Sequence, residues 1–230
     1  RGGCPDIMRL PLPGDSWEPS LLPALCPLPP RCTALAVGPG MGRSEKAADF
    51  LAKLLELPGR PPAVIDADAL INLASANALA LTTEHDILTP HPGEAAMLLN
   101  STAGEVQGQR FAALEELKKL SPAVWILKGE STLIGSGNSA PTAISPYAEP
   151  NLAIGGSGDV LAGCAAALLA QGIPPRDAAK CAVLLHALAG EQLQKRFPCR
   201  GNTASDIADS IPEAAAMHRI RQEQAKQAEI

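Results

Sequence analysis

From Thr33 onward, apolar runs of strand length alternate with stripes of helical spacing. "TALAV" (33–37) reads as a strand and "GPGMGR" (38–43) as a turn. Ser44 is placed to cap a helix running to about Leu57, with Ala48, Leu51, Ala52, Leu54 and Leu55 as its apolar stripe. "AVIDADAL" (63–70) repeats the scheme: a strand, an acidic turn, a short helix. "DILTP" (86–90) is a further strand, and Pro92 suits the first position of the helix carrying "GEAAMLL". Residues 105–120 read as one amphipathic helix, and "AVWIL" (123–127) as a strand ending at Lys128. Such alternation predicts parallel strands joined by right-handed crossovers, with helices on both faces of the sheet.

The rhythm then breaks. "STLIGSG" (131–137) and "TAISP" (142–146) have turns and no helix between them, which predicts hairpin strands at one sheet edge. Beyond Asp159 the pattern is all helical: 159–171, 176–195, and 203 to near the end. Gly172 is a C′ candidate for the first of these. The polar tail, 218–230, is expected to fray. Residues 1–32 are rich in proline and predict an irregular, extended lead-in with at most a short strand around Ile7–Leu10. With neither an internal repeat nor a linker, residues 1–230 read as a single α/β domain.

The composition fits such a fold: of 230 residues 46% are hydrophobic but only 3% aromatic, so the core must be built from Ala, Leu, Val and Ile. A net charge of −5 with no dense basic block argues against nucleic acid or an anionic membrane as the main partner. The six cysteines (Cys4, Cys26, Cys32, Cys164, Cys181 and Cys199) form no CxxC pair, and no His lies at ligand spacing from them. Cys164 and Cys181 fall inside apolar helical patterns, so a reduced, cytosolic (cytoplasmic) chain with buried thiols is expected. No run approaches the ~18 apolar residues of a membrane span. The N-terminus has no signal-peptide h-region and no initiator Met, so the chain reads as a possible fragment.

The candidate chemistry lies at strand ends. In "NLAIGGSGDVLAG" (151–163) a glycine-rich loop opens a helix of small and apolar residues, which is expected to be buried. The amides of a first helical turn lack intrahelical partners and carry partial positive charge, and glycines let a ligand approach them, so the loop suits phosphate. Asp159 is open to two readings: a cap or first-turn acid of that helix, or a general base beside the phosphate. His91, held between two prolines in "LTPHPGE" (88–94), suits a ligand contact. His85, His186 and His218 lack such a setting and read as structural. "AVGPGMG" (36–42) is no GxGxxG fingerprint; it is either a tight turn or a close approach to substrate. Asp66 and Asp68 either contact a ligand or metal or cap their helix. Lys128 either meets a phosphate or snorkels at the sheet edge; the Walker spacing is missing. His91, Lys128 and the 155–159 loop all fall on one rim of one sheet.

Taken in order and spacing, "VGPGMG", "VIDADAL", "LTPHPGEAAMLL", "LKGESTLI", "NLAIGGSGDVLAG" and "TASDIADSIPEA" resemble the ADP-dependent NAD(P)H-hydrate dehydratases over about residues 33–215. "PHPGE" is similar to the bacterial, ADP-using branch, and Ser157 stands where the family usually has Thr, keeping a hydroxyl. The resemblance implies a ribokinase-like three-layer sandwich with a mostly parallel sheet. It also implies a lyase (hydro-lyase) reaction: ADP-dependent dehydration of NADHX or NADPHX to NADH or NADPH, giving AMP and phosphate. Asp159 would activate the ring hydroxyl for phosphorylation, and phosphate would then be eliminated. The amides of Gly156, Ser157 and Gly158 would hold the phosphoryl charge. Lys128, Gly129, Glu130, Ser131 and Thr132 map to nucleotide binding. His91, Gly40, Gly42 and Asp159 map to hydrate binding. No side chain maps to a metal ligand, although Mg²⁺ is expected with the nucleotide. The family commonly forms tetramers and often accompanies an epimerase domain. Its members usually open with a strand, a glycine-rich turn and a helix ahead of the segment seen here, so a fragment or a truncated copy is expected. Two other readings share the glycine–aspartate logic: a ribokinase-like kinase of a vitamin precursor, and a non-catalytic nucleotide-binding remnant.

Overall fold

The computed structural model describes residues 7–26, 28, 31–137, 140–198 and 200–228; Cys4 and Cys199 lie outside them. Among the described residues six strands form one sheet in sequential order: β1 (Leu35–Val37), β2 (Ala63–Ile65), β3 (Ile87–Leu88), β4 (Val124–Leu127), β5 (Leu133–Ser136) and β6 (Ala143–Ile144). β1 to β4 run parallel, β5 pairs antiparallel with β4, and β6 pairs antiparallel with β5. The expected edge hairpin is therefore present.

Sequential order explains where the helices go. A right-handed crossover repeated in one direction puts every connecting helix on the same face. α2 (Glu45–Leu55), α3 (Asp68–Ser75), α4 (Pro92–Leu98), α5 (Ala103–Gly108) and α6 (Arg110–Leu120) all supply the core on that face. Ala63, Ile65, Leu88, Trp125 and Leu127 point into it from the strands. Their alternates Val64, Ile87, Val124 and Ile126 point to the other face, against α7 (Ser157–Ala170) and α8 (Pro175–Leu193). Central strands buried on both faces are why these runs are continuously apolar. α9 (Ala204–Ala228) closes a third cluster with α8 through Ile207, Ala214, Leu188 and Leu193. The result is the three-layer α/β arrangement expected.

Local sequence sets the boundaries. Ser44 accepts a hydrogen bond from Ala47 N and starts α2. Gly172, at φ +80°, donates to Leu169 O while Ile173 N reaches Leu168 O, a Schellman end to α7.

Several expectations need correction. Residues 105–120 are two helices: Thr102 and Glu105 cap α5 reciprocally, and Gln109 leaves helical geometry before α6. Arg110 explains the break, because its guanidinium donates to Leu127 O and Lys128 O at the sheet. No strand forms around Ile7–Leu10. The lead-in instead folds as a 3-10 turn, Pro19–Leu21, and α1 (Leu22–Leu25), with Leu21 buried and Trp17 5.0 Å from Phe50. Residues 218–228 of the polar tail continue α9, which runs to Ala228. α7 is not buried all round: Leu161, Ala162, Ala165 and Leu169 face the sheet, while Gly163 and Ala167 are exposed. Nor are the thiols buried: Cys26, Cys32, Cys164 and Cys181 are free, the first three half-buried and Cys181 exposed.

Candidate active site

β2, β3 and β4 deliver Asp66, the "PHPGE" turn and Lys128 to the same end of the sheet, and α7 begins directly above them. A cleft of about 770 Å³ opens there. It is lined by Asp66, His91, Glu94 and Lys128, by Gly156 to Asp159, and by the apolar residues Tyr147, Leu152, Ile154 and Val183. Its lining thus combines charged and apolar side chains.

The polar floor is an ion network. Asp66 is buried, and its Oδ1 takes a hydrogen bond from Thr89 Oγ1 at 2.7 Å and lies 2.6 Å from Lys128 Nζ. Glu94 Oε2 stands 3.7 Å from the same ammonium and accepts from His91 N. Lys128 therefore sits between two carboxylates rather than snorkelling to solvent. A Cβ on Gly158 would lie 3.3 Å from Lys128 Nζ, so the α7 N-terminus rests on this ammonium. A side chain there would press on the end of Lys128 and push the ammonium aside by a few tenths of an ångström.

Above the floor, Gly156 (φ +82°) turns the chain into α7 without any side-chain cap. Ser157 N is donated to Ile154 O. The amides of Gly156, Gly158 and Asp159 have no partner in the chain among the described residues. Asp159, in the first turn, is exposed, lines the cleft and makes no hydrogen bond or ion pair among the described residues. Its side chain does not cap the helix. A free carboxylate beside free amides is an arrangement for taking a proton next to an anion.

His91 has a second job. Its Nδ1 accepts from Gly93 N and Glu94 N, which caps α4 and leaves the neutral ring's proton on Nε2, 3.4 Å from Glu94 Oε1. With 54% of its side chain exposed, the imidazole also lines the cleft.

Other candidates fall elsewhere. Gly129, Glu130 and Thr132 line the cleft; Ser131, at φ +51°, is in the same turn but not in the wall. Gly40 and Gly42 lie beyond the neighbouring end of β1, outside the lining residues. Close approach in that turn belongs to Gly38, whose Cβ would fall 1.7 Å from Asp66 O. Asp68 ties the turn down, accepting from Gly42 N and Arg43 Nε. The alternatives left open for the two aspartates thus separate: Asp66 faces the cleft and Asp68 holds a loop.

Two further residues of the cleft are not among the candidates above. Glu94 could have been found from its place three residues after the cap His91, the spacing of a capping box. His186 carried no such signal, being 29 residues from the loop it touches. It lines the cleft from α8, with Nε2 3.0 Å from both Ser157 Oγ and Ser157 O. Burial pulls its pKa from 6.5 to about 4, against the Ser157 hydrogen bond, so the ring is neutral at pH 7.

The geometry agrees with what the chain is similar to. The NAD(P)H-hydrate dehydratase family model matches residues 13–213. The bifunctional NAD(P)H-hydrate repair enzyme Nnr of Vibrio cholerae is 42% identical over 79% of this chain and 35% of its own length. The ADP-dependent (S)-NAD(P)H-hydrate dehydratase of Neisseria meningitidis is 38% identical over 82% of this chain and 63% of its own. Among solved structures, the ADP/ATP-dependent NAD(P)H-hydrate dehydratase of Bacillus subtilis, crystallised with ATP and Mg²⁺, superposes with a TM-score of 0.69 at 27% identity, covering 80% of this chain and 64% of that one. A ribokinase-like superfamily protein of Enterococcus faecalis gives 0.68 at 26% identity, covering 79% and 62%. The chain thus spans about a third of the bifunctional relative's length, and less than two thirds of the others. Its fold is ribokinase-like, and the chain belongs to the NAD(P)H-hydrate dehydratase family.

Proposed function

We propose that the chain is an ADP-dependent hydro-lyase returning NADHX or NADPHX to NADH or NADPH, with AMP and phosphate as the other products. One observation carries the reading: among the described residues the Asp159 carboxylate and the neighbouring amides of Gly156, Gly158 and Asp159 have no partner, over the Lys128 ammonium. Asp159 takes the proton of the ring hydroxyl as its oxygen attacks the β-phosphorus of ADP. The bond from that phosphorus to the bridging oxygen breaks, and AMP leaves. The amides and Lys128 hold the transferring charge, which is where such donors contribute most. Phosphate then departs from the ring carbon with its oxygen, and loss of a ring proton completes the dehydration. Gly129, Glu130, Ser131 and Thr132 take the nucleotide; His91, with Gly40 and Gly42 farther along the rim, takes the hydrate. The apolar lining residues Tyr147, Leu152, Ile154 and Val183 suit a flat base or ring.

Among the described residues no group of three His, Cys, Asp or Glu could hold a metal ion. That donor set fits Mg²⁺ arriving on the nucleotide with most of its waters, not an all-protein cage. Bound so, the ion would supply positive charge to the phosphates in a cleft whose lining includes Asp66, Glu94, Glu130 and Asp159. The reading extends to one domain over residues 1–230, a cytoplasmic location, a tetramer, and a fused or separate epimerase as companion. Four free cysteines among the described residues fit the location.

The test is to mix the chain with NADHX, ADP and Mg²⁺ and to follow absorbance at 340 nm and AMP together. Equal appearance of NADH and AMP is expected. ADP binding without either product would overturn the proposal.

A further inference from the structure

The Nε2 atom of His186 lies 3.0 Å from Ser157 O and 3.0 Å from Ser157 Oγ, in a pair of residues that are both buried and both line the cleft. A carbonyl oxygen only accepts, so Nε2 carries the ring proton; the other tautomer would set two lone pairs against each other. The same N–H then reaches Ser157 Oγ, which accepts. Among the described residues the hydroxyl proton has no other partner in the chain. A buried donor without an acceptor costs free energy unless a ligand completes it.

We infer that His186 is a positioning residue of the anion loop: its Nε2–H fixes the first turn of α7 through Ser157 O and turns the Ser157 hydroxyl outward, as one more donor to a phosphate held by the neighbouring amides. The inference rests on the function proposed above but concerns only how the loop takes a phosphate. The neutral state follows from burial, which holds the imidazole pKa near 4. The ring therefore donates from Nε2 across the ordinary working range of pH.

Two measurements test it, and neither needs hydrate turnover. Two-bond ¹H–¹⁵N correlations on the wild-type chain at pH 7 should show His186 protonated at Nε2; protonation at Nδ1 would overturn the inference. Calorimetry with ADP and Mg²⁺ supplies the second. His186→Leu and Ser157→Ala should each weaken binding about tenfold, as for one lost hydrogen bond to a charged group. The double variant should be no worse than either, because both remove the same donor. His186→Gln, whose amide N–H can reach the same place, should stay within about threefold of wild type. Losses that multiply to about a hundredfold, or wild-type affinity in His186→Leu, would overturn it. Thermal melts of each variant separate misfolding from lost binding. If ADP binds as expected but NADHX is not consumed, the hydro-lyase reading fails and this one stands.

Discussion

Lys128 Nζ lies 2.6 Å from Asp66 Oδ1, joining the end of β4 to the end of β2 beneath the first turn of α7. The Asp66 side chain is 2% exposed and that of Lys128 16%. Removing one partner of a buried pair leaves an uncompensated charge, which costs more than the pair contributes. Asp66→Asn should therefore destabilise the chain by about 3 kcal/mol in urea unfolding. It should also weaken ADP binding, because Lys128 loses the group that holds it under Gly158. A loss below about 1 kcal/mol would show the ammonium to be held by other means.

Two glycines separate packing from propensity. Gly38 has φ +126° and no room for a Cβ beside Asp66 O, so Gly38→Ala should cost more than about 3 kcal/mol and disturb the Asp66 backbone. Gly163 is exposed in mid-helix with open space around it. Gly163→Ala should stabilise the chain by about 0.5–1 kcal/mol. Chemical denaturation of both variants checks the pair; the reverse order would contradict the packing described.

Stability should depend on pH through His186. Its pKa is about 4 when folded, against 6.5 for the free side chain, so the unfolded chain binds a proton first as pH falls. Stability is flat above about pH 6.5 on this account and falls as pH drops toward 4, by on the order of 3 kcal/mol in all. Unfolding followed from pH 8 to pH 4 measures it. His186→Gln should flatten that part of the curve, and an unchanged slope in the variant would move the proton to another group.

His91 is both a cap and a cleft residue, and substitutions can tell the roles apart. His91→Ala should lose about 1 kcal/mol of stability with the α4 cap. It should raise KM for the hydrate more than for ADP. His91→Asn can still accept from the α4 amides, so it should restore stability without restoring KM. A KM change confined to ADP would place His91 on the nucleotide side.

Most of the sheet was legible because its strands are buried on both faces and bounded by Gly and Pro, as at "AVWIL" and "DILTP". The rim was legible for the same reason: residues just past such strands fall at one end of a parallel sheet. Long-range partners were not. The split between α5 and α6 depends on Arg110 reaching the β4 carbonyls, and the folding of residues 19–25 on Trp17 meeting Phe50. His186 joins Ser157 across 29 residues, and no local spacing encodes that. The exposed face of α7 was misread because an Ala- and Gly-rich helix looks the same in sequence whether one side or every side is covered.

Asp159 remains the hinge of the account, because it is the one carboxylate at the anion loop without a partner among the described residues. Asp159→Asn keeps the shape and removes the proton acceptor, so the decisive measurement is its NADH formation at 340 nm from NADHX and ADP, beside its ADP affinity by calorimetry. ADP affinity should stay within about threefold of wild type and turnover should fall by about 10²–10⁴, the usual worth of a positioned base. Turnover within a few-fold of wild type would contradict it.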